Sequence, residues 1–258
     1  MIWSRLTRRF EVRSAALLVT LETRLDSILM VWLLLSGLGV MARLLTSPPV
    51  MGVALPNLLL PYGLLVLAPA ASMLLARRWF TETDRQPRPE LPLFSVGNWR
   101  SVSLERARRE PLYGTGGIMV SLLIGILLNI PVRAAEYLAA VPALGGPVPD
   151  WLFVLRSLLS LDVVLLPSLY AIVFVAALRR SPLFPRLLAG VWVADIGMQV
   201  LTAQLVGRTN DLPAAVAQSL YGLLDGNVTK VLISVAVWTP YLLLSRRVNI
   251  TFRHRLPA

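Results

Sequence analysis

Cysteine is absent from this chain of 258 residues, histidine occurs once, as His254, and lysine once, as Lys230. The missing cysteine excludes disulfides, a thiol nucleophile and Cys-based metal sites. A single histidine near the end of the sequence leaves no pair of haem ligands, no His-based zinc site and no Ser-His-Asp triad within one chain. No metal and no cofactor is therefore expected, and no enzyme activity. Charge is scarce as well. Only 15% of residues are charged, whereas soluble domains carry about 25%. With 56% hydrophobic residues and a mean hydropathy of +0.67, the chain has too little polar surface to cover a core in water. Lipid is the natural solvent for the excess.

Six apolar stretches are long enough to cross about 30 Å of hydrocarbon, which takes ~20 helical residues. They cover 27–43, 51–76, 117–139, 151–178, 187–206 and 227–245. The expected fold is all-α: a polytopic membrane bundle of about six transmembrane helices. Pro56, Pro61 and Pro69 predict a kink in the second. Residues 209–224, with Leu212, Val216, Leu220 and Leu223 at helical spacing, predict a separate short surface helix.

Net charge is +11, nearly all from arginine. Nucleic-acid binding needs a basic patch on a soluble fold, and none is visible, so no nucleic-acid partner is expected. The basic residues instead mark sides. Segments 1–26, 77–116, 179–186 and 246–258 hold 20 of the 25. The intervening connections carry only Arg43 and Arg208 at their edges. This asymmetry places both termini in the cytoplasm. Residues 1–13 are basic, but the apolar run Ala15–Leu21 is short and Glu22, Arg24 and Asp26 follow it, so a retained N-terminus is expected rather than a cleaved signal.

Two segments read as peripheral. Ile2, Trp3, Leu6, Phe10 and Leu17 share one helical face, with Arg5, Arg8 and Glu11 opposite. That suits a helix lying in the cytoplasmic interface, or an extension of the first span. The loop 77–116, rich in Arg and containing Pro87, Pro89, Pro92 and Pro111, reads as a linker in which Glu90–Phe94 offers a docking segment. Anionic headgroups at the cytoplasmic face are the expected lipid partners, with another membrane protein as a further one.

Ionisable groups inside hydrocarbon cost about 2.5–3.5 kcal/mol each on insertion scales and need a reason. The candidate site is an intramembrane polar cluster of Arg133, Glu136, Arg156, Asp162, Asp195 and Lys230. Arg133 and Glu136, three apart, are neighbours on a helix. Arg156 and Lys230 lie close enough to the ends of their spans to snorkel. Asp162 and Asp195 fall near the midplane, where a short side chain cannot. Two roles fit: interhelical glue, or a proton or ion pathway. Arg133, Glu136 and Arg156 are expected together in one interior cluster, and Asn129 or Arg133 is expected to satisfy the carbonyl freed by Pro131.

Three further features, the Gly116-Gly117 entry to a helix, the turn Arg179-Arg180-Ser-Pro-Leu-Phe-Pro-Arg186 and the ending Val237-Trp-Thr-Pro-Tyr-Leu-Leu-Leu-Ser-Arg-Arg-Val-Asn-Ile-Thr-Phe252, carry a family likeness. Over residues 113–255 the chain resembles the YdgK-like bacterial inner-membrane proteins, a domain of unknown function. The resemblance implies a four-helix transmembrane domain over 113–258, with 1–112 as an N-terminal extension of two more helices, and a bacterial inner membrane. It implies no activity. In the ending, Trp238 and Tyr241 read as interface anchors, Arg246 and Arg247 as headgroup contacts, and Phe252 as folding back to lipid. The expected role is a non-enzymatic accessory or scaffold subunit; the alternative is a small transporter using Asp162 and Asp195.

Overall fold

A computed structural model describes residues 2–47, 55–80, 97–143, 148–210 and 212–258, with side chains from residue 13 onward except 55–58. The apolar face of residues 2–10, the prolines 87, 89 and 92 and the segment Glu90–Phe94 lie outside the described residues or side chains. The described chain is almost wholly helical. Its helices are α1 (Ile2–Thr23), α2 (Leu25–Thr46), α3 (Leu55–Trp79), α4 (Leu104–Arg109), α5 (Ile118–Ala140), α6 (Asp150–Leu178), α7 (Phe184–Gly207), α8 (Ala214–Leu244) and α9 (Arg246–Arg253). Two short strands, β1 (Trp99–Ser101) and β2 (Arg255–Pro257), complete it.

Six helices, α2, α3 from Leu59, and α5 to α8, are long and apolar enough to cross a membrane. Exposed leucines, valines and isoleucines cover their outer faces, among them Leu34, Leu38, Leu67, Val193 and Ile233. That surface suits acyl chains and not water. The central helix is α6, packed against α3, α5 and α7. Leu166, Phe174, Leu123, Phe184 and Leu188 fill the interior, and Leu25, Leu29, Met73 and Phe80 from the first 112 residues join the same core.

Proline is absorbed inside these helices, at Pro61, Pro69, Pro131, Pro167 and Pro240. In the turn before Pro69, the carbonyl of Val66 accepts a hydrogen bond from Trp32 Nε1 at 2.8 Å, which ties α3 to α2. Arg24 breaks the helical run between α1 and α2.

The structure corrects several sequence expectations. Residues 214–224 are not a separate surface helix. They are the first turns of α8, 31 residues long, and Leu220 and Leu224 pack against Leu158 and Val206. The polar run Asp225-Gly-Asn227 lowers hydropathy without breaking the helix. Lys230 is therefore midway along α8 and not near its end.

The ending is likewise not a lipid-bound tail. Helix α9 buries Val248, Asn249, Ile250, Thr251 and Phe252. Phe252, 2% exposed, stacks on Phe184 with ring centroids 4.9 Å apart. Beyond it, His254 turns the backbone through φ 47°, and β2 pairs antiparallel with β1, Arg100 opposite Leu256. Residues 99–109, expected as linker, fold with it: Ser103 caps α4 by accepting from the Arg106 amide, and Ala107, Ile250 and Leu256 form a small core. Arg246 pairs with Glu110 at 3.4 Å. Cations crowd here. Burial, and then the charges of Arg255 and Arg186, hold Arg253 down to about 10. This cap closes one end of the bundle. It is tied to the start of α5, where Thr251 Oγ1 accepts from the Gly114 amide at 2.9 Å. Ser14 of α1 accepts from the Gly117 amide at the same place, at 3.1 Å.

Candidate functional site

The buried ion cluster is built by α5, α6 and α7. Arg133 points from α5 into the interior. Its Nη1 donates to Asp162 Oδ2 at 2.7 Å, and its Nη2 to both oxygens of Asp195, at 2.9 and 2.8 Å. Asp195 is fully buried, and the side chains of Arg133 and Asp162 nearly so. A carboxylate in such a place needs all its lone pairs engaged. Tyr170 donates to Asp195 Oδ2 at 2.9 Å. Gln199 donates to Asp162 Oδ1 at 3.1 Å and, more weakly, to Asp195 Oδ1 at 3.4 Å. Two carboxylates facing one guanidinium leave a formal surplus of one negative charge if both are ionised, and the Tyr170 and Gln199 donors partly offset it.

From there a polar chain leads outward. Asn227 donates to Gln199 Oε1 at 3.3 Å, Lys230 Nζ donates to Asn227 Oδ1 at 3.4 Å, and Lys230 reaches Glu136 at 3.0 Å. The last two groups are open, with side chains 66% and 40% exposed. A cavity of about 70 Å³ runs beside this chain, lined by Asn129, Arg133, Glu136, Tyr170, Asn227 and Lys230. The Oδ1 of Asn129 is buried with no hydrogen-bond partner among the described residues. Toward the cap the polar chain stops at Leu123, Ile126, Phe174 and Leu188, all buried.

Of the six residues read from sequence, the structure joins Arg133, Asp162 and Asp195, and places Lys230 with Glu136 at the mouth of the same chain. Arg156 stands elsewhere, within electrostatic reach of Tyr62 and Tyr137. The expected grouping of Arg133, Glu136 and Arg156 is thus not found. Arg133 and Glu136 leave α5 in different directions, one to the interior and one to the rim. Tyr170, Gln199 and Asn227 were not read from sequence. Their signal was spacing: Gln199 is one turn beyond Asp195, Tyr170 two turns beyond Asp162, and Asn227 three residues before Lys230.

Among the described residues no three acidic or histidine side chains converge to hold a metal. Fold and site together define an integral membrane protein: an all-α bundle with a buried Arg–Asp–Asp network at its centre. No family model, no curated protein and no solved structure matches the chain.

Proposed function

We propose that the chain is a non-enzymatic accessory or scaffold subunit of a membrane assembly. One observation carries this reading. Lys230 and Glu136 form an exposed ion pair on the lateral surface, inside two candidate spans, while the interior charges are engaged within the chain. A charged pair on such a surface is costly unless something polar covers it. The helix of a partner with a polar face at that level supplies the cover and gains interhelical hydrogen bonds. Location in a bacterial inner membrane, cytoplasmic termini and kinship with the YdgK-like proteins belong to the same proposal; the arginine distribution and the residues of the ending support them. The test is purification of the intact chain from its native membrane in mild detergent. A stoichiometric partner that dissociates from the Lys230→Met/Glu136→Gln variant, with the bundle still folded, supports the reading. A chain that elutes alone, with or without the pair, removes it.

A second reading has its own observation, the hydrogen-bonded chain from Glu136 and Lys230 through Asn227 and Gln199 to Asp162 and Asp195. Such a chain suits a proton or ion pathway. Its apolar stop at Leu123 and Phe174 requires a second conformation to complete passage. Proton flux into liposomes that disappears in Asp195→Asn and Asp162→Asn supports this reading; equal flux in both variants overturns it.

A further inference from the structure

A second hollow is unrelated to the ion cluster. A groove of about 430 Å³ opens sideways between α2, α3 and α5, lined by Trp32, Gly39, Met73, Pro131, Ala135 and Leu138 and almost entirely apolar. Along α2 it runs from Ile28 to Gly39, about 16 Å at 1.5 Å per residue. It starts three residues from the cap end of α2 and passes the middle of that helix. At Gly39 α2 comes close to α5: a Cβ there would meet Leu138 Cδ1 at 3.0 Å.

The groove has a charged upper end. One helical turn beyond Gly39, on the same face of α2, stands Arg43, half-buried. Its Nε donates to the Val141 carbonyl at 3.0 Å, which fixes the side chain one turn beyond Leu138. Arg43 forms no ion pair among the described residues. Arg156 adds a second positive charge nearby, since Tyr62 lies within electrostatic reach of both. An apolar slot that begins one turn below a fixed cation has the polarity of an amphiphile with an anionic head.

We propose that this groove is a binding site for one glycerophospholipid, with an acyl chain along α2 and the phosphodiester at Arg43. A partner's transmembrane helix fits less well. It is about 10 Å across with its side chains, whereas about 430 Å³ spread over about 16 Å of length leaves a section nearer that of one acyl chain.

The experiment is native mass spectrometry of the full chain, delipidated in detergent and then titrated with phosphatidylglycerol or with diacylglycerol of the same chains. The expected result is one phosphatidylglycerol per chain, with Arg43→Gln weakening binding about tenfold, the worth of one charge-assisted contact. Ala135→Trp, placed on the exposed rim, fills the slot and abolishes binding without touching the core. Thermal unfolding of each variant verifies the fold. Equal retention in the native chain and both variants overturns the proposal, as does diacylglycerol bound as tightly as phosphatidylglycerol. A second protein chain retained at this face in place of lipid also overturns it.

Discussion

Arg133 and Asp195 meet through two oxygens and one nitrogen: the same Nη2 donates to Oδ1 at 2.9 Å and to Oδ2 at 2.8 Å, with no solvent reaching the carboxylate. The other nitrogen holds Asp162. Arg133 is therefore the hub on which α6 and α7 both lean. Arg133→Met leaves two buried carboxylates facing each other and is expected to destabilise the bundle by about 3–5 kcal/mol. Asp162→Asn removes one negative charge of the formal surplus and is expected to cost far less. Thermal unfolding in detergent ranks them, and equal losses would show that the hub is not Arg133.

The pair Lys230–Glu136 should behave in the opposite way. Its side chains are exposed at the level of the acyl chains, so the variant Lys230→Met/Glu136→Gln is expected to leave stability unchanged or raise it. A loss comparable to that of Arg133→Met would mean the pair holds α8 to α5. The proposed role as a contact with a partner would then fall.

Phe252 tests the cap. Phe252→Ala deletes a buried ring stacked on Phe184 and is expected to cost about 3–5 kcal/mol, confined to the cap. Trypsin should then cut readily at Arg253 and Arg255 while the six spanning helices stay protected. Unchanged cleavage would return the ending to the lipid surface.

Gly117 sits at φ +66° and ψ −139°, a conformation open essentially to glycine, with the Arg247 guanidinium 3.5 Å from where a Cβ would stand. Gly117→Ala is expected to cost about 1–3 kcal/mol and to loosen the junction of α1, α5 and α9. Gly125, in the middle of α5 with open space around its Cβ position, is the control: Gly125→Ala is expected to be neutral or mildly stabilising.

Orientation is checked by reporters. Fusions after residues 47 and 210 are expected to read as periplasmic, and those after 182 and 258 as cytoplasmic. Two contrary signals would reverse the arginine argument.

The spans were legible because a membrane helix declares itself locally, by some twenty apolar residues in a row. The depth of Asp162 and Asp195 was legible for the same reason. What sequence could not show was direction and distance. Arg133 and Glu136 look like neighbours at i and i+3, yet a rotation of about 60° between such positions suffices to send one inward and one to the rim. The ending was misread because its partners are distant in sequence: β2 needs β1, more than 150 residues earlier, and Phe252 needs Phe184, 68 residues earlier. Read alone, Arg246-Arg-Val-Asn-Ile-Thr-Phe252 has only lipid to bind.

The pairing of β1 with β2 also sets an order of events. The segment 99–109 emerges from the ribosome before four of the six spanning helices, while its strand partner follows the last of them. That segment must wait, unpaired, through the insertion of α5 to α8, and the clasp can close only after the whole bundle has been threaded into the bilayer. Closure of the cap is thus the last step of assembly. A chain stalled or clipped before residue 255 would expose the waiting strand to whatever proteolytic surveillance patrols that face.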